Sequence, residues 1–482
     1  MPTDRGADAD MPHRTDRAGL WWCEGTTARR LAAVFVLYGL VATVFLGINV
    51  PPYQNPDEGA HFMRAAQLAD GGMFGTLFQG FKPDGSTQLW AGASGDIAIL
   101  RAAGPFLAMG GHPEVRATRA MWEPRVHWSH TRTMLGFPNT IINPPLFYVP
   151  SAIGVLVGHA SRMTVPQTMV TSRLLTGVAA VAVGAVAIAC AGGAAVWLFA
   201  VLTLPGSLDL IASCSQDALM LACSALAGAL LVRLLRTPEV GGRWALAGLT
   251  ALLAMVAAAR VPYVMLALVP LAVTGARWRS RVIGASVIAA VVVAWWAIVA
   301  APVMTNAGAF VGADPAAQLA WLLAHPLRVV PIGWQTVAQG WRQYLETFVG
   351  YLGWGDTPLP PDYIHAAWAM LGIAALAAMF GLRGQPISAG TRLVIAAGLL
   401  LAAGGVFFAE YVIWTPPGSA IVQEVEGRYF RPLALVGAAL LPALGGTRWA
   451  RLHNALVVAV ALFPVVSLAV VMQVVVTRYY LQ

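Results

Sequence analysis

Charged side chains are scarce in this chain. Only 11% of its 482 residues are Asp, Glu, Lys or Arg, and only 22 are acidic, whereas 58% are hydrophobic. This scarcity argues against a soluble domain and places the chain among polytopic membrane proteins. The net charge of +8 does not indicate nucleic-acid binding, because the arginines stand in short loops between apolar runs, as the positive-inside rule describes.

The chain also lacks cysteine spacings that indicate disulfides or metal sites, and it lacks internal repeats. The chain has four cysteines, and no pair shows C-x-x-C or Cys/His metal-binding spacing. Most lie in apolar segments, where cysteine usually acts as a small buried residue. The spacing therefore excludes a disulfide framework and a zinc site built on Cys23, Cys190, Cys214 and Cys223.

The first long apolar run fixes the orientation of the N-terminus. Residues 1–28 are polar and of mixed charge, and predict a disordered cytoplasmic tail rather than a secretory signal. Residues 29–482 form a single predicted integral membrane domain. Leu31–Val50 spans about 30 Å as a helix, and the arginines just before it predict a cytoplasmic N-terminus. Two prolines, Pro51 and Pro52, end this helix on the outer side.

Later apolar runs predict an all-α, polytopic transmembrane fold. If Arg173 is outside and each run crosses once, every later arginine cluster lies in the cytoplasm. This parity predicts about 11 spans with the C-terminus outside, and it makes 145–160 a re-entrant or interfacial half-helix. The runs are 173–190, 192–206, 214–235, 244–258, 261–275, 282–303, 363–381, 392–413, 429–445 and 453–476.

Three outer loops follow from this topology. The large first loop covers 51–145 and is predicted to contain interfacial helices, while the second covers 304–362 and the third 414–428. Polar residues that the charge rule does not explain collect in these loops and at the outer helix ends. Such clustering predicts a site assembled from several outer loops around an acidic pair.

The acidic pair is Asp57-Glu58, which follows the first span by a few residues. Two adjacent carboxylates at the mouth of a span suit a general base or a metal-ligand pair. Glu58 and Asp57 are three and four residues from His61, so one helix face could present them to a divalent metal. A carboxylate–imidazolium pair is the alternative, and so is a plain acidic first turn of an interfacial helix.

Other outer residues also allow simpler interpretations. Asp217 is either a helix cap or a site residue. Arg260 either reaches the lipid headgroups or contacts a lipid phosphate, for which a guanidinium is well shaped. Trp334 and Trp341 in the second loop predict an interfacial aromatic belt rather than a ligand cage.

The segment 55–65 (Asn-Pro-Asp-Glu-Gly-Ala-His-Phe-Met-Arg-Ala) resembles the PDE-x-x-H-F-x-R-A signature of a bacterial membrane-protein family, domain of unknown function family 2142. Further matches follow in chain order, and the resemblance covers about residues 30–445. Arg260 stands where Lys is expected, and Glu426 stands where Gln is expected. The matching segments are 144–148 (Pro-Pro-Leu-Phe-Tyr), 213–219 (Ser-Cys-Ser-Gln-Asp-Ala-Leu), 260–263 (Arg-Val-Pro-Tyr), 353–357 (Gly-Trp-Gly-Asp-Thr) and 426–432 (Glu-Gly-Arg-Tyr-Phe-Arg-Pro).

That family is in turn similar to the GT-C membrane glycosyltransferases. The resemblance implies a GT-C-like fold and a sugar donor carried on polyprenyl phosphate, used on the outer face of the bacterial cytoplasmic membrane. It implies Asp57 and Glu58 as catalytic residues, with Asp57 the first choice for the base, and an envelope glycan, lipid or protein as acceptor. The predicted substrate-binding residues are His61, Arg64, Tyr148, Asp217, Arg260, Tyr263, Trp354, Asp356, Glu426, Arg428 and Tyr429.

Two other functions fit the same composition. A transporter or flippase for a lipid-linked sugar would use many spans and the proline-interrupted short helices within 244–275. A non-catalytic scaffold for envelope polysaccharide assembly is the third possibility. No nucleic acid is expected as a partner, and a divalent metal at Asp57, Glu58 and His61 is the one cofactor considered.

Overall fold

A computed structural model describes residues 25–81, 87–444 and 449–481. The predicted cytoplasmic tail lies outside these residues except for its last four, in which the first helix already begins. In chain order the α-helices are α1 (Thr26–Asn49), α2 (Glu58–Ala69), α3 (Ala98–Leu107), α4 (Arg119–Trp122), α5 (Val149–Ala160), α6 (Val165–Cys190), α7 (Ala195–Leu202), α8 (Pro205–Ile211), α9 (Asp217–Arg236), α10 (Pro238–Ala259), α11 (Trp278–Trp295), α12 (Pro315–Ala324), α13 (Val329–Val349), α14 (Pro361–Gly381), α15 (Ala389–Ile413), α16 (Arg431–Val436) and α17 (Ala450–Tyr479).

Within the described residues, seven helices are long and apolar enough to cross a membrane, and an eighth span results if α7 and α8 count as one helix bent by 80°. The seven are α1, α6, α9, α14, α15, α17 and the segment Trp278–Val303 that begins with α11. Helix α9 lies in the centre, since 83% of its most apolar 18-residue window is buried, against 22% for α15. The N-terminus of α9 therefore opens at the middle of one end of the bundle.

The predicted number of 11 spans is not confirmed. The run 261–275 forms a 3₁₀ helix, Val261–Ala272, which contains Pro262 and Pro270. Proline has no N–H to donate, so Pro270 cannot complete an α-helical ladder, whereas Pro262 stands in the first turn, where the N–H has no intrahelical partner in any case. The run 429–445 divides into three short elements, two 3₁₀ turns around α16. The half-helix predicted at 145–160 is present as a 3₁₀ turn (Pro145–Tyr148) followed by α5.

The first loop contains strands as well as the predicted helices α2 to α4. Strands β1 (Thr76–Phe81), β2 (Thr87–Asp96) and β3 (Arg132–Gly136) form an antiparallel sheet in the order β1-β2-β3. Gly92 is required at its crossing with β3, because a Cβ there would lie 1.8 Å from the Leu135 carbonyl oxygen. Two strands of two residues each, β4 (Tyr351–Leu352) and β5 (Thr357–Pro358), form a hairpin in the second loop.

The C-terminal ends of α1 and α17 lie together. The Tyr480 hydroxyl donates to the Asn49 carbonyl (2.8 Å), and Arg478 pairs with Asp356 of the hairpin (2.7 Å). Trp354 of the same hairpin donates its indole N–H to the Tyr53 carbonyl at 2.7 Å. The ends that the charge rule places outside thus share one end of the bundle; which side of the membrane this end faces stays a prediction.

Candidate functional site

The two adjacent carboxylates have different environments. Pro51 and Pro52 follow α1, and Asp57 adopts a left-handed backbone (φ 54°) that turns the chain into α2. Aspartate tolerates this conformation better than most residues. The turn leaves Asp57 half-buried, whereas the next side chain, Glu58, is completely buried.

Glu58 forms a buried, two-pronged ion pair with Arg173 of α6. The Arg173 Nε donates to Oε1 at 2.6 Å, a terminal guanidinium nitrogen donates to Oε2, and Asn55 adds a third hydrogen bond at 3.0 Å. Burial alone would raise the pKa of Glu58, but the charge and hydrogen bonds of Arg173, with those of Asn55, outweigh it and hold the pKa below its usual range. Glu58 is therefore a fixed carboxylate without access to solvent.

Arg173 also fastens the end of the first span. Its two terminal nitrogens donate to the carbonyls of Gly47 (3.0 Å), Val50 (2.6 Å) and Pro51 (3.0 Å), at and just beyond the C-terminus of α1. Helix C-termini leave carbonyls without partners, so this cation stabilises the end of α1 as well as Glu58. From the sequence, Arg173 served only to set the topology. Its position in an apolar run was the signal that could have shown the need for an acidic partner.

The Asp57 carboxylate makes fewer hydrogen bonds than that of Glu58. Its Oδ1 accepts one hydrogen bond, from Asn139 at 3.0 Å, and within the described chain this is the only hydrogen bond of its carboxylate. Asn139 was not predicted as a site residue. Asp57 is consequently the member of the pair that an incoming molecule can reach.

His61 lies one turn into α2, between two hydroxyls. Its Nδ1 is 2.7 Å from the Tyr148 hydroxyl, and its Nε2 is 3.2 Å from the Ser215 hydroxyl. Because Asn143 donates to the Tyr148 oxygen (2.9 Å), we assign the Tyr148 proton to His61 Nδ1 and the His61 proton to Nε2. Burial lowers the pKa of His61 against the opposing charges of Asp57 and Asp217, which favours this neutral ring.

Ser215 connects His61 to the N-terminus of the central helix α9. The Ser215 oxygen accepts the backbone N–H of Asp217 at 3.2 Å. The Asp217 carboxylate then faces Arg260, at 3.5 Å from a guanidinium nitrogen, and both side chains are largely buried. Three predicted residues from distant parts of the chain, His61, Asp217 and Arg260, thus lie in one chain of contacts.

Two arginines flank the ring of Tyr429. The Arg260 guanidinium carbon lies 4.3 Å from the ring centroid and that of Arg428 lies 5.3 Å from it. Tyr263 donates its hydroxyl hydrogen to the Tyr429 carbonyl, which holds the loop against the 3₁₀ helix. Arg428 Nε lies 2.8 Å from Glu426 without the alignment of a hydrogen bond. The group forms a small basic cluster beside Asp217.

The predicted metal site is not formed. The carboxylate of Glu58 points to Arg173, and the ring of His61 points to two hydroxyls, so these side chains do not converge with Asp57 on one point. Across the described ranges, no three His, Cys, Asp or Glu side chains are arranged to hold a metal ion. The three-residue metal site considered from the sequence at Asp57, Glu58 and His61 is therefore not assembled among the described residues.

Three predicted binding residues make contacts within the protein. Arg64 is fully buried and donates to Gln67 and to the carbonyls of Met73 and Asn143. Trp354 and Asp356 hold the β4–β5 hairpin against the ends of α1 and α17, through the contacts described above. Arg64 still supports the site indirectly, because its partner Asn143 orients Tyr148.

The described site lies within a recognised sequence family. Residues 40–437 match the family described as a predicted membrane protein, domain of unknown function family 2142. The chain belongs to this family. No curated protein and no solved structure matches the chain. The family 2142 match extends from α1 to the end of α16 and includes every residue of the network above, while Arg478 and the rest of α17 lie beyond it.

Proposed function

We propose that this family 2142 protein is an inverting glycosyltransferase of the bacterial cytoplasmic membrane, with its site on the extracytoplasmic face. Its donor is a sugar on polyprenyl phosphate, and its acceptor is an envelope glycan, lipid or protein. The observation that carries the proposal is the contrast within the acidic pair. Asp57 is accessible, whereas Glu58 is buried against Arg173, and Arg428 of the basic cluster lies within electrostatic range of Asp57.

The chemistry needs one base and one anion site. The Asp57 carboxylate takes the proton of an acceptor hydroxyl as that oxygen attacks the anomeric carbon. A new glycosidic C–O bond forms while the bond from the anomeric carbon to the phosphate oxygen breaks. The phosphate leaves with the bonding electron pair, and Arg260 and Arg428 match its charge. This leaving group needs little acid assistance, so a second catalytic carboxylate, as in glycoside hydrolysis, is not required.

The basic cluster suits a phosphate that is exchanged. The contact of Arg260 with Asp217 is long, at 3.5 Å, and Arg428 lacks an aligned hydrogen bond to Glu426. The Arg260 guanidinium can therefore turn toward an anion without breaking a close ion pair, whereas Arg428 would have to leave its 2.8 Å contact with Glu426. Burial opposes the charge of Arg428, but Glu426, Tyr429 and then the carboxylates of Asp217 and Asp57 raise its pKa well above the usual value.

Glu58 has a positioning role in this proposal rather than the catalytic role considered from the sequence. Its ion pair with Arg173 fixes the start of α2 and thereby the left-handed turn at Asp57. His61, in the first turn of α2, contacts the hydroxyls of Tyr148 and of Ser215, which precedes Asp217 by two residues.

The purified protein in detergent tests the proposal against its rivals. A transferase releases polyprenyl phosphate from a lipid-linked sugar when an acceptor hydroxyl is present, whereas a flippase or a scaffold does not. Arg428→Gln should raise the KM for the donor, while Arg342→Gln, which changes an exposed arginine of α13, should not. Translocation of the donor sugar across vesicle membranes by the wild-type protein, with no phosphate released, would support the transporter instead.

A further inference from the structure

A polar cavity lies at the far end of α2. Its volume is about 180 Å³, and it is about 18 Å from Glu58 along the helix axis at 1.5 Å per residue. The side chains that line it come from α2, the sheet, the loop before β3 and α5: Asp70, Asp96, Trp128, His130, Arg132 and His159. It has room for about six waters at 30 Å³ each, and it is smaller than the roughly 300 Å³ at which drug-sized pockets begin.

Asp96 organises one wall of this cavity. Its Oδ1 accepts the Ala98 N–H at 2.8 Å and the Ser129 hydroxyl at 2.5 Å, and its Oδ2 accepts the His130 N–H at 2.7 Å. These bonds hold His130 in a left-handed backbone (φ 55°), so the exposed imidazole has a defined position. Burial alone would raise the pKa of Asp96, but the hydrogen bonds lower it below its usual value, and the carboxylate keeps its charge.

The one arginine among the lining residues is already neutralised. Arg132 pairs with Asp70 at the end of α2 and also donates to the Ser94 carbonyl at 2.7 Å. Asp96 has hydrogen-bond donors but no cation partner in the described part of the chain. The wall thus carries no excess positive charge that would attract a phosphate or a carboxylate.

Two imidazoles remain available in the cavity. The rings of His130 and His159 lie 6.2 Å apart between centroids, and neither ring has a hydrogen bond within the described residues. The ring of His159 lies 4.1 Å from that of Trp128 between centroids and is tilted by 32° to it, which gives the cavity an aromatic wall. Burial lowers the pKa of His159. A neutral imidazole has one donor and one acceptor, so each ring matches a hydroxyl, which also has both.

We propose that this cavity binds one uncharged sugar unit. Vicinal hydroxyls would pair with His130, His159 and the Asp70 carboxylate, while the apolar face of the sugar lies along the Trp128–His159 wall. This inference rests on the proposed function in one respect: it makes the acceptor a neutral glycan, held at the far end of α2 from the reacting hydroxyl. Because the cavity wall has no excess positive charge, it favours a neutral sugar over an acidic sugar.

Saturation-transfer difference NMR on the full chain in detergent tests this inference. The probes are a methyl hexopyranoside, which is uncharged, and a hexuronate, which is anionic. Signal transfer is expected to the hexopyranoside and not to the hexuronate. His130→Ala should weaken hexopyranoside binding about tenfold or more, as expected for the loss of one or two hydrogen bonds. His130→Gln, which keeps one donor and one acceptor, should recover part of it.

Two controls separate this inference from the proposed transferase activity. His112→Ala changes another exposed histidine of the first loop, and Asp57→Asn changes the proposed base; both should bind the hexopyranoside as the wild type does. If phosphate release fails but sugar binding follows this pattern, the cavity proposal stands alone. Preference for the hexuronate, equal binding by His130→Ala, or no hexopyranoside binding at millimolar concentration would each overturn it.

Discussion

Glu58 and Arg173, 115 positions apart in the chain, form an ion pair in which both side chains are completely buried. The pair joins the start of α2 to α6, and the arginine also binds the carbonyls at the end of α1. It therefore fixes the position from which Asp57 projects.

Breaking this pair should be costly. Glu58→Gln leaves a buried guanidinium without its counter-charge, and such changes lower the free energy of unfolding by about 3–5 kcal/mol. Arg173→Met should cost more than Glu58→Gln, because it also leaves the carbonyls of Gly47, Val50 and Pro51 without donors. Thermal unfolding in detergent measures both. Asp70→Asn, which breaks the exposed pair with Arg132, is the control and should cost about 0–1 kcal/mol; an equal loss in all three variants would contradict the structure.

Asp57→Asn should remove transfer without unfolding the protein. The amide that replaces the carboxylate keeps its shape and an oxygen for the Asn139 donor, but it has no basic group. Loss of a general base lowers kcat by about 10²–10⁴-fold. The unfolding temperature should stay near that of the wild type, in contrast to Glu58→Gln, so that activity and stability separate the two carboxylates. Near wild-type transfer by the folded variant would rule out Asp57 as the base.

His61 should make stability depend on pH. Because its folded-state pKa is lowered below 6.5, the unfolded state binds the proton more readily. The stabilisation is present above the unfolded pKa and is lost as pH falls through the folded one. The unfolding temperature should thus drop more between pH 7.5 and pH 5 in the wild type than in His61→Gln. His112→Gln, at an exposed site, should follow the wild type; identical curves for all three proteins would refute this assignment.

Helix α13 should lie on the membrane surface. Its exposed apolar side chains form one stripe, Val330 (75% exposed), Trp334 (74%), Val337 (47%) and Trp341 (48%). At 100° per residue, Gln339 lies half a turn away from Val330 around the helix. A fluorescent label on a cysteine at 330 should be quenched by brominated lipid, and one at 339 by aqueous iodide. The reverse pattern, or equal aqueous quenching, would exclude an interfacial helix.

Much of the site could be inferred from residue types. The clustering of Asp217, Arg260 and Tyr429 near His61 was predicted and is found, because each residue stands at a helix end or in a loop that the parity argument assigns to one side. What could not be predicted is which carboxylate is free. That depends on Arg173, whose contact with Glu58 arises only when α6 packs against α1.

The first-loop sheet was not predicted and the predicted number of spans is not confirmed, for different physical reasons. Strand β1 is short, only four of the ten residues of β2 are buried, and the glycines in both strands give no regular alternation of apolar and polar residues. The segment Val261–Ala272 is apolar enough to suggest a span, but it forms a 3₁₀ helix of only 12 residues, in which Pro270 has no N–H to donate.

Hydropathy and arginine distribution were enough to identify a membrane protein and to predict that its polar residues gather at one end. Hydropathy and arginine positions are both read directly along the chain. Short motifs in a fixed order were enough for the family, since their order needs no knowledge of contacts. The roles within the acidic pair, the fate of the predicted metal site and the existence of the cavity at the far end of α2 emerged from the folded structure. Each of these depends on which side chains meet across more than 30 residues of chain, and burial or exposure after folding sets their charge and access.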